Sequence, residues 1–391
     1  MTLRFGSCEI DPAAHVFRRD GVVQALEPQV FDLIVLFASH AGALIDRDRI
    51  IAEIWDGRIV SDAAISSRIN AVRRAIGDDG RRQALLQTVP RRGFRFIAEV
   101  AGGRAPPATS PGEQDIRMTT SADGTQIAYA SCGEGPVLLR AGHFLTHIER
   151  DWDSPVWRPM IERLSAGHRL VRYDQRGTGL SDPTPVSLSL ERMVADLEAV
   201  ADAVGAQRFP VFAASQGVPV AIAFAAAHPD RVSRLVLYGG FAQSRLARAA
   251  PQEVARAEAM LTLLREGWGR HGSAFATAFA TLYLPDAEQD QIASMTDMQL
   301  ASATPDTAAA LRQAIDGIDV TDRLAEVRAP TLVLHMRDDA VQPAEQARMI
   351  AAGIANARLR IFEGRNHVPV PGRPGWEEVM GAATAFLAEA D

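Results

Sequence analysis

Ser215, Asp339 and His367 are residue types that can together carry out nucleophilic catalysis, and each sits in a local pattern suited to that work. Ser215 lies in Ala213-Ala214-Ser215-Gln216-Gly217, after an apolar run that reads as a strand and before a helical run, Val218–Ala227. A sharp strand-to-helix turn of this kind exposes the hydroxyl and aims the helix amides at any oxyanion formed beside it. Ala213 stands where the pattern usually has Gly, and alone the five residues would mark only a loop serine. Two further segments add to them. Asp338-Asp339 follows the strand pattern of Pro330–His335, with Pro343 four residues beyond Asp339, and His367 follows the strand Leu359–Phe362. In the order Ser, Asp, His, serine attacks an acyl carbon, histidine takes and returns the proton, and aspartate orients the imidazole. Asp338 reads as a turn former.

Around this trio, residues 116–391 alternate strand and helix patterns, which predicts a largely parallel sheet with helices on both faces. Val137–Arg140, His168–Tyr173, Phe209–Ala213, Val232–Tyr238 and Pro330–His335 are the expected buried strands. From about 241 to 325 the rhythm gives way to helices (Pro251–Arg265, Ala274–Leu284, Thr307–Ile315), as expected for a cap over the site. The oxyanion donors are expected to be the Gln216 amide and one from Gly142–Leu145, with His143 and Phe144 lining the pocket. His143 and His147, four apart with Glu149 nearby, have metal-ligand spacing for a helix. The stretch follows a strand and reads as a loop, so no metal is expected there. Asp174 and Arg176, in Asp174-Gln175-Arg176-Gly177-Thr178-Gly179-Leu180-Ser181, read as structural, pinning a tight turn.

These segments resemble the α/β-hydrolase superfamily across nearly all of 116–391. Within it they resemble the hydrolase domains of multidomain regulators and cyclase-associated proteins, through Leu145-Thr146-His147-Ile148-Glu149 and Asp151-Trp152. The resemblance implies acyl chemistry without a cofactor. The superfamily also holds lactonases, C–C hydrolases, haloperoxidases and non-catalytic receptors. A serine at the turn argues against a haloalkane dehalogenase, which resembles an aspartate nucleophile.

The first hundred residues differ in character. The chain has net charge −7, yet residues 1–100 hold 14 Arg against 13 acids, and 58–97 hold nine Arg against three acids. All basic side chains are Arg. A basic patch on an acidic protein is an electrostatic footprint for a polyanion. Segments Leu3–Ile10, His15–Arg19 and Val22–Leu26 read as a small antiparallel sheet. Phe31, Ile34, Val35 and Ala38 share one face of a first helix; Ile50, Ile51 and Ile54 mark a second, which Asp46 can cap. A third helix runs between Ser61 as N-cap and Gly77 as left-handed terminator, with Ile65, Ile69, Val72 and Ile76 as its apolar stripe. Its opposite side shows Ser67, Asn70 and Arg74, flanked by Ser66, Arg68 and Arg73. Leu85–Phe96 follows as a hairpin with Arg91-Arg92-Gly93 at its tip and Arg95 beside it. An arginine-rich helix face alone is an ordinary solvated surface. The order of sheet, three helices, basic third helix and basic hairpin is what points to double-stranded DNA.

That order resembles the OmpR/PhoB-type winged helix-turn-helix domain, in the form fused to non-receiver partners as in CadC-like regulators. The resemblance rests on Leu26-Glu27-Pro28, Ile54-Trp55, Ile65-Ser66-Ser67-Arg68-Ile69-Asn70 and Thr88-Val89-Pro90-Arg91-Arg92-Gly93-Phe94-Arg95-Phe96, and covers essentially all of 1–100. It implies DNA contacts from Ser67, Arg68, Asn70, Arg73, Arg74, Arg91, Arg92 and Arg95. Ala71 stands where family members often carry a basic residue. No receiver domain is visible.

The expected organisation is therefore an α+β winged-helix domain over 1–100, a linker over 101–115 (AGGRAPPATSPGEQD), and an α/β-hydrolase domain over 116–391. Cys8 and Cys132 fall in different domains and offer no disulfide framework. Neither a secretory leader nor a membrane span is expected, which favours the cytoplasm. The functions left open are a regulator that senses and turns over a small acyl compound, a metabolic serine hydrolase with an appended module, and a non-catalytic receptor controlling DNA binding. Homodimerisation is expected, since two such modules on adjacent half-sites gain by effective concentration.

Overall fold

The computed structural model describes residues 3–12, 14–39, 41, 44–45, 47–55, 60, 62–89, 93–98, 113–185, 187–248, 250–268 and 273–389. The chain forms two compact units, one built from residues before 109 with Asp115–Met118, the other mainly from Thr119–Asp391.

The first unit opens with an antiparallel meander of β1 (Leu3–Phe5), β2 (Cys8–Asp11), β3 (Val16–Arg19) and β4 (Val22–Gln24). The alternation over Leu3–Ile10 predicts one segment. The structure folds it back on itself at Gly6-Ser7, with Phe5 opposite Cys8 and Gly6 at φ +51°. Asp20 and Gly21, both at positive φ, make the turn into β4, as an Asp-Gly pair should. Then come α1 (Pro28–Ser39), β5 (Leu44–Ile45), α2 (Arg47–Trp55), α3 (Asp62–Ile76), β6 (Leu86–Val89) and β7 (Gly93–Phe96). β5 pairs with β7, making the β6–β7 hairpin part of a three-stranded sheet among the described residues, which the sequence had not indicated. The buried stripes of α1 and α3 meet the sheets through Ile34, Phe37, Ile69, Val72, Leu86 and Phe96. Gly77, at φ +79°, ends α3, and the next residue's carboxylate takes the amides of Asp79, Ala84, Leu85 and Leu86. The expected caps Asp46 and Ser61 lie outside the described residues, as do Arg91 and Arg92 and most of the expected linker.

In the second unit, eight strands among the described residues run in the order β15-β14-β13-β12-β10-β11-β9-β8. They are β8 (Asp115–Thr120), β9 (Gln126–Cys132), β10 (Val137–Arg140), β11 (Arg169–Tyr173), β12 (Phe209–Ala214), β13 (Val232–Tyr238), β14 (Thr331–Met336) and β15 (Ala357–Phe362). From β11 through β15 the neighbours are parallel, and β9 joins β11 antiparallel. Parallel neighbours require crossovers. These are α4 (Ile148–Asp153), α5 (Arg158–Ser165), α6 (Leu190–Ala203) and α7 (Gly217–Ala227), with α12 (Ala344–Gly353) after the insertion; α13 (Trp376–Leu387) follows the last strand. α7 is apolar all round and buried, as a helix packed in mid-domain must be.

The insertion between β13 and β14 holds α8 (Pro251–Gly267), α9 (Ala274–Tyr283), α10 (Gln289–Ser302) and α11 (Pro305–Asp316). The sequence reading located three of these and missed α10. Its large apolar residues, Ile292, Met295, Met298 and Leu300, sit among polar and small ones, so helical period is weak; a Glu288–Gln291 capping box starts it.

Candidate functional site

The backbone at Ser215 is the first sign of a built site. β12 ends at Ala214 and α7 begins at Gly217, so only Ser215, at φ +52°, and Gln216 turn the chain. A non-glycine residue in the left-handed region is strained, and such strain persists where the surroundings impose it. Here the Ser215 amide donates to the Tyr238 carbonyl of β13, and α7 crowds against the loop after β10. A Cβ on Gly217 would lie 2.9 Å from the Gly142 carbonyl oxygen, so the last residue of the motif has to be glycine. Ala213 is fully buried in β12 opposite Leu237.

Three chain ends deliver the other side chains. The Ser215 hydroxyl lies 2.7 Å from His367 Nε2 and donates to it. Across the ring, Nδ1–H donates to Asp339, at 2.7 Å from Oδ2 and 3.0 Å from Oδ1. Asp339 follows β14, and its Oδ1 also accepts the amides of Val341 and Gln342. Burial works to raise its pKa, but His367 and the Gln342 amide outweigh it and hold the carboxyl below its usual range. His367 follows β15, and its amide donates to the Tyr283 carbonyl at the end of α9, tying it to the cap. This line of hydrogen bonds can pass a proton from Ser215 to His367 as the oxygen attacks a carbonyl carbon.

His335 was not singled out in the sequence. It is fully buried in β14 with Nε2 3.1 Å from the Gln342 carbonyl and 3.8 Å from Asp339 Oδ2. Burial pushes its pKa down, so it is neutral and donates to the loop that holds Asp339. A histidine inside the apolar strand Thr331–Met336 was the available signal.

The pocket at Ser215 is lined by His143, Phe144, Trp157, Tyr283, Met295 and Val368, among others, and its space for water centres is about 20 Å3. His143 stacks on Trp157 with ring centres 4.7 Å apart, and burial with the nearby Arg140 pushes its pKa down to about 3, so it is neutral. Gln216 is buried with Nε2 turned to the Met193 sulfur, so what it can offer an oxyanion is its amide. His143 and His147 lie in the loop before α4, and among the described residues no group of three or more His, Cys, Asp or Glu is placed to hold a metal.

The Asp174–Ser181 turn buttresses the same loop. Asp174 accepts the amides of Ile148 and Leu180, and Thr178 and Gln175 both reach Thr146. Arg176 is fully buried between Asp123 and Asp196.

In the first unit, α3 presents Ser66, Ser67, Asn70 and Arg74 to solvent. Arg68 is half-buried, paired with Glu27 at 2.6 Å and donating to Gln29. Arg95 is partly buried in β7, its Nε buried and without a partner among the described residues. Arg73 departs from the helical-wheel expectation of an outward flank. It is 6% exposed and donates to the Leu86 carbonyl and Thr88 Oγ1. The hairpin packs over that side of α3, so Arg73 holds the wing to the helix and is not free for phosphate. Arg73→Met should therefore loosen β6 by about 1–3 kcal/mol, the cost of leaving buried acceptors unpaired. Faster hydrogen exchange at the Leu86 and Thr88 amides checks it; unchanged exchange with weakened DNA binding would restore the contact role. Arg81 and Arg82, exposed in the loop between α3 and β6, were not named from sequence, although the arginine count over 58–97 included them.

An α/β sheet with a serine turn beneath a helical cap, in one chain with a three-helix unit carrying a hairpin wing, defines a hydrolase-fold domain joined to a winged-helix domain. Residues 144–374 match the α/β hydrolase fold family, and the chain belongs to it. Residues 21–96 match the C-terminal domain of transcriptional regulatory proteins. The chain is 30% identical over 247 residues to the pimeloyl-[acyl-carrier protein] methyl ester esterase of Nitrosomonas europaea, covering 62% of this chain and 93% of that one. It is 31% identical over 99 residues to the transcriptional activator CadC of Escherichia coli, covering 25% of this chain and 19% of CadC. A solved structure of an esterase from Thermogutta terrifontis shares the fold at TM-score 0.57 and 25% identity, covering 70% of this chain and 98% of that one. The chain is thus a fusion of an OmpR/PhoB-type DNA-binding domain with an α/β-hydrolase domain.

Proposed function

We propose that this protein is a transcriptional regulator whose hydrolase domain takes up a small acyl compound of ester or lactone type and hydrolyses it at Ser215. The observation that carries the reading is the hydrogen-bonded line from Ser215 through His367 to Asp339, set on a strained turn. Ser215 attacks the acyl carbon as its proton passes to His367 Nε2. The amide of Gln216 and one from Gly142–Leu145 take the oxyanion. His367 then protonates the leaving alcohol, and water releases the acid by the same route in reverse. The free space at Ser215 is about 20 Å3, so substrate entry calls for movement of the cap, whose Tyr283 and Met295 line the pocket. Relatives that hydrolyse esters support the acyl class. The 1–100 and 116–391 boundaries and a homodimer on paired half-sites complete the proposal, which places the protein with DNA in the cytoplasm.

The deciding experiment treats the protein with a fluorophosphonate and maps the adduct, then titrates operator DNA with adducted and free protein at one salt concentration. An adduct at Ser215 with altered operator affinity is expected. An unreactive Ser215 would leave a receptor, and equal affinities would leave a hydrolase carrying a DNA-binding module.

For the DNA face, Asn70→Ala and Arg74→Ala should relax base preference by about 1–3 kcal/mol at the positions they read, since a bidentate base contact is worth that much. Binding measured on a randomised operator library checks this. Sequence-blind losses from both would remove α3 as the reader.

A further inference from the structure

Away from the Ser215 pocket, the hydrolase domain carries a second, open cleft of about 520 Å3, against about 20 Å3 at Ser215. One wall is α8 and the residues before it; the other is the loop 339–343. Arg245, Arg248 and Arg256 all line it, and all three turn to one carboxylate, Glu253, at 3.9, 3.1 and 3.4 Å. Behind Arg245 the buried Arg312 is already paired with Asp316, so that pair adds no free negative charge. Arg245 and Arg248 are only 12% and 17% exposed. Glu253 is the carboxylate these three guanidinium groups share; the cleft's other acid, Asp339, is committed to His367, so the two arginines largely removed from water, with the exposed Arg256 beside them, have charge left for a further anion. Next to them the cleft is apolar, through Met260, Leu282 and Leu263, the last 47% exposed.

We propose that this cleft binds a small organic carboxylate carrying a hydrocarbon tail, its charge on the three arginines and its tail along Met260 and Leu263. The site is separate from the Ser215 pocket and yet connected to it. Arg245 donates to the Val341 carbonyl at 3.3 Å, and the amides of Val341 and Gln342 hold Asp339 Oδ1. A ligand drawing on Arg245 therefore acts on the loop that seats the carboxylate of the Ser215–His367–Asp339 line.

The test uses the full chain and octanoate as probe. Calorimetry should show octanoate binding, acetate binding more weakly for want of a tail, and octan-1-ol failing to bind for want of charge. The double variant R248Q/R256Q should weaken octanoate about tenfold or more, the loss expected when charge-assisted hydrogen bonds go. L263E, which sets a repelling charge on the apolar wall, should also weaken it; circular dichroism checks that both variants are folded. A diazirine analogue of octanoate should label residues 259–263 or 340–343. Equal affinity in both folded variants, or labelling of Phe144, Met160 and Met295 instead, would overturn the site. Bound octanoate should also change the rate at which a fluorophosphonate modifies Ser215, and not in R248Q/R256Q; an unchanged rate in the native protein would refute the link through Arg245. The binding and labelling arms need no reactive serine, so an inert Ser215 would count against the hydrolase proposal alone.

Discussion

Ser215→Ala and His367→Ala should each lower turnover of an activated acyl ester by roughly a thousandfold to a millionfold, and the double variant by little more than either. The reason is geometric. With the hydroxyl 2.7 Å from Nε2 and Nδ1 2.7 Å from Asp339, attack and proton transfer are one event, so losing either partner removes the whole step. Asp339→Asn should cost less, because the imidazole stays but loses its preferred tautomer and the charge that stabilises its protonated form. KM should change little in the alanine variants, since neither side chain supplies the apolar lining from Phe144, Trp157 and Met295. The measurement is kcat and KM on a series of nitrophenyl esters, with fluorophosphonate labelling as a second readout. Wild-type protein inert to every chain length, with no adduct, would leave a binding domain. Equal loss from Ser215→Ala and a distant surface variant would remove the serine mechanism.

The trio was legible because each residue follows a short strand, strongly apolar before Ser215 and Asp339 and alternating before His367, and strand ends of a parallel sheet lie along one edge. Residue type and order then sufficed, without knowledge of the cap. The cap itself was legible only as a break in rhythm. α10 carries Met295 into the pocket, yet its polar and small residues hid it. His335 was hidden for the opposite reason, as a polar side chain within a strand read for its apolar residues. Arg73 marks a different limit. A helical wheel gives its direction from the α3 axis, whereas its burial comes from the β6–β7 hairpin, which is folded over α3 by tertiary packing. The split of Leu3–Ile10 rests on Gly6-Ser7, a weak turn signal inside an alternating run. For Arg73 the missing information was a contact with a segment distant in sequence; for the others it was a weak local signal.

Arg176→Met should be the most destabilising single change outside the Ser215–His367–Asp339 line, by about 3–5 kcal/mol, the usual cost of removing one partner from a buried ion pair. Arg176 is fully buried, and its guanidinium bonds to both oxygens of Asp196, to Asp123 and to the Ser187 carbonyl. Methionine fills similar space but leaves two carboxylates facing each other. The pH dependence separates this from simple loss of packing. In the native protein the hydrogen bond from Arg176 holds the Asp123 carboxyl well below the usual range. An acid with a depressed folded pKa contributes stability above its unfolded value, near 4, and loses it as pH falls toward the folded value. Burial already raises Asp196 above the unfolded value in the native protein; without Arg176 it rises further and Asp123 loses its depression, so the variant's penalty is full at neutral pH and is relieved as the carboxyls protonate. Urea unfolding at pH 7 and pH 4 should thus show the gap between native and variant narrowing in acid. A gap of constant size would mean that volume, not charge, sets the cost. The loss should also reach the chemistry. The Asp174–Ser181 turn that Arg176 pins holds Thr146 and Ile148, and they flank the Gly142–Leu145 loop proposed to supply an oxyanion amide. Under conditions where the variant is still folded, kcat should fall while ester KM changes little, because the displaced donor acts on the transition state and not on the bound substrate.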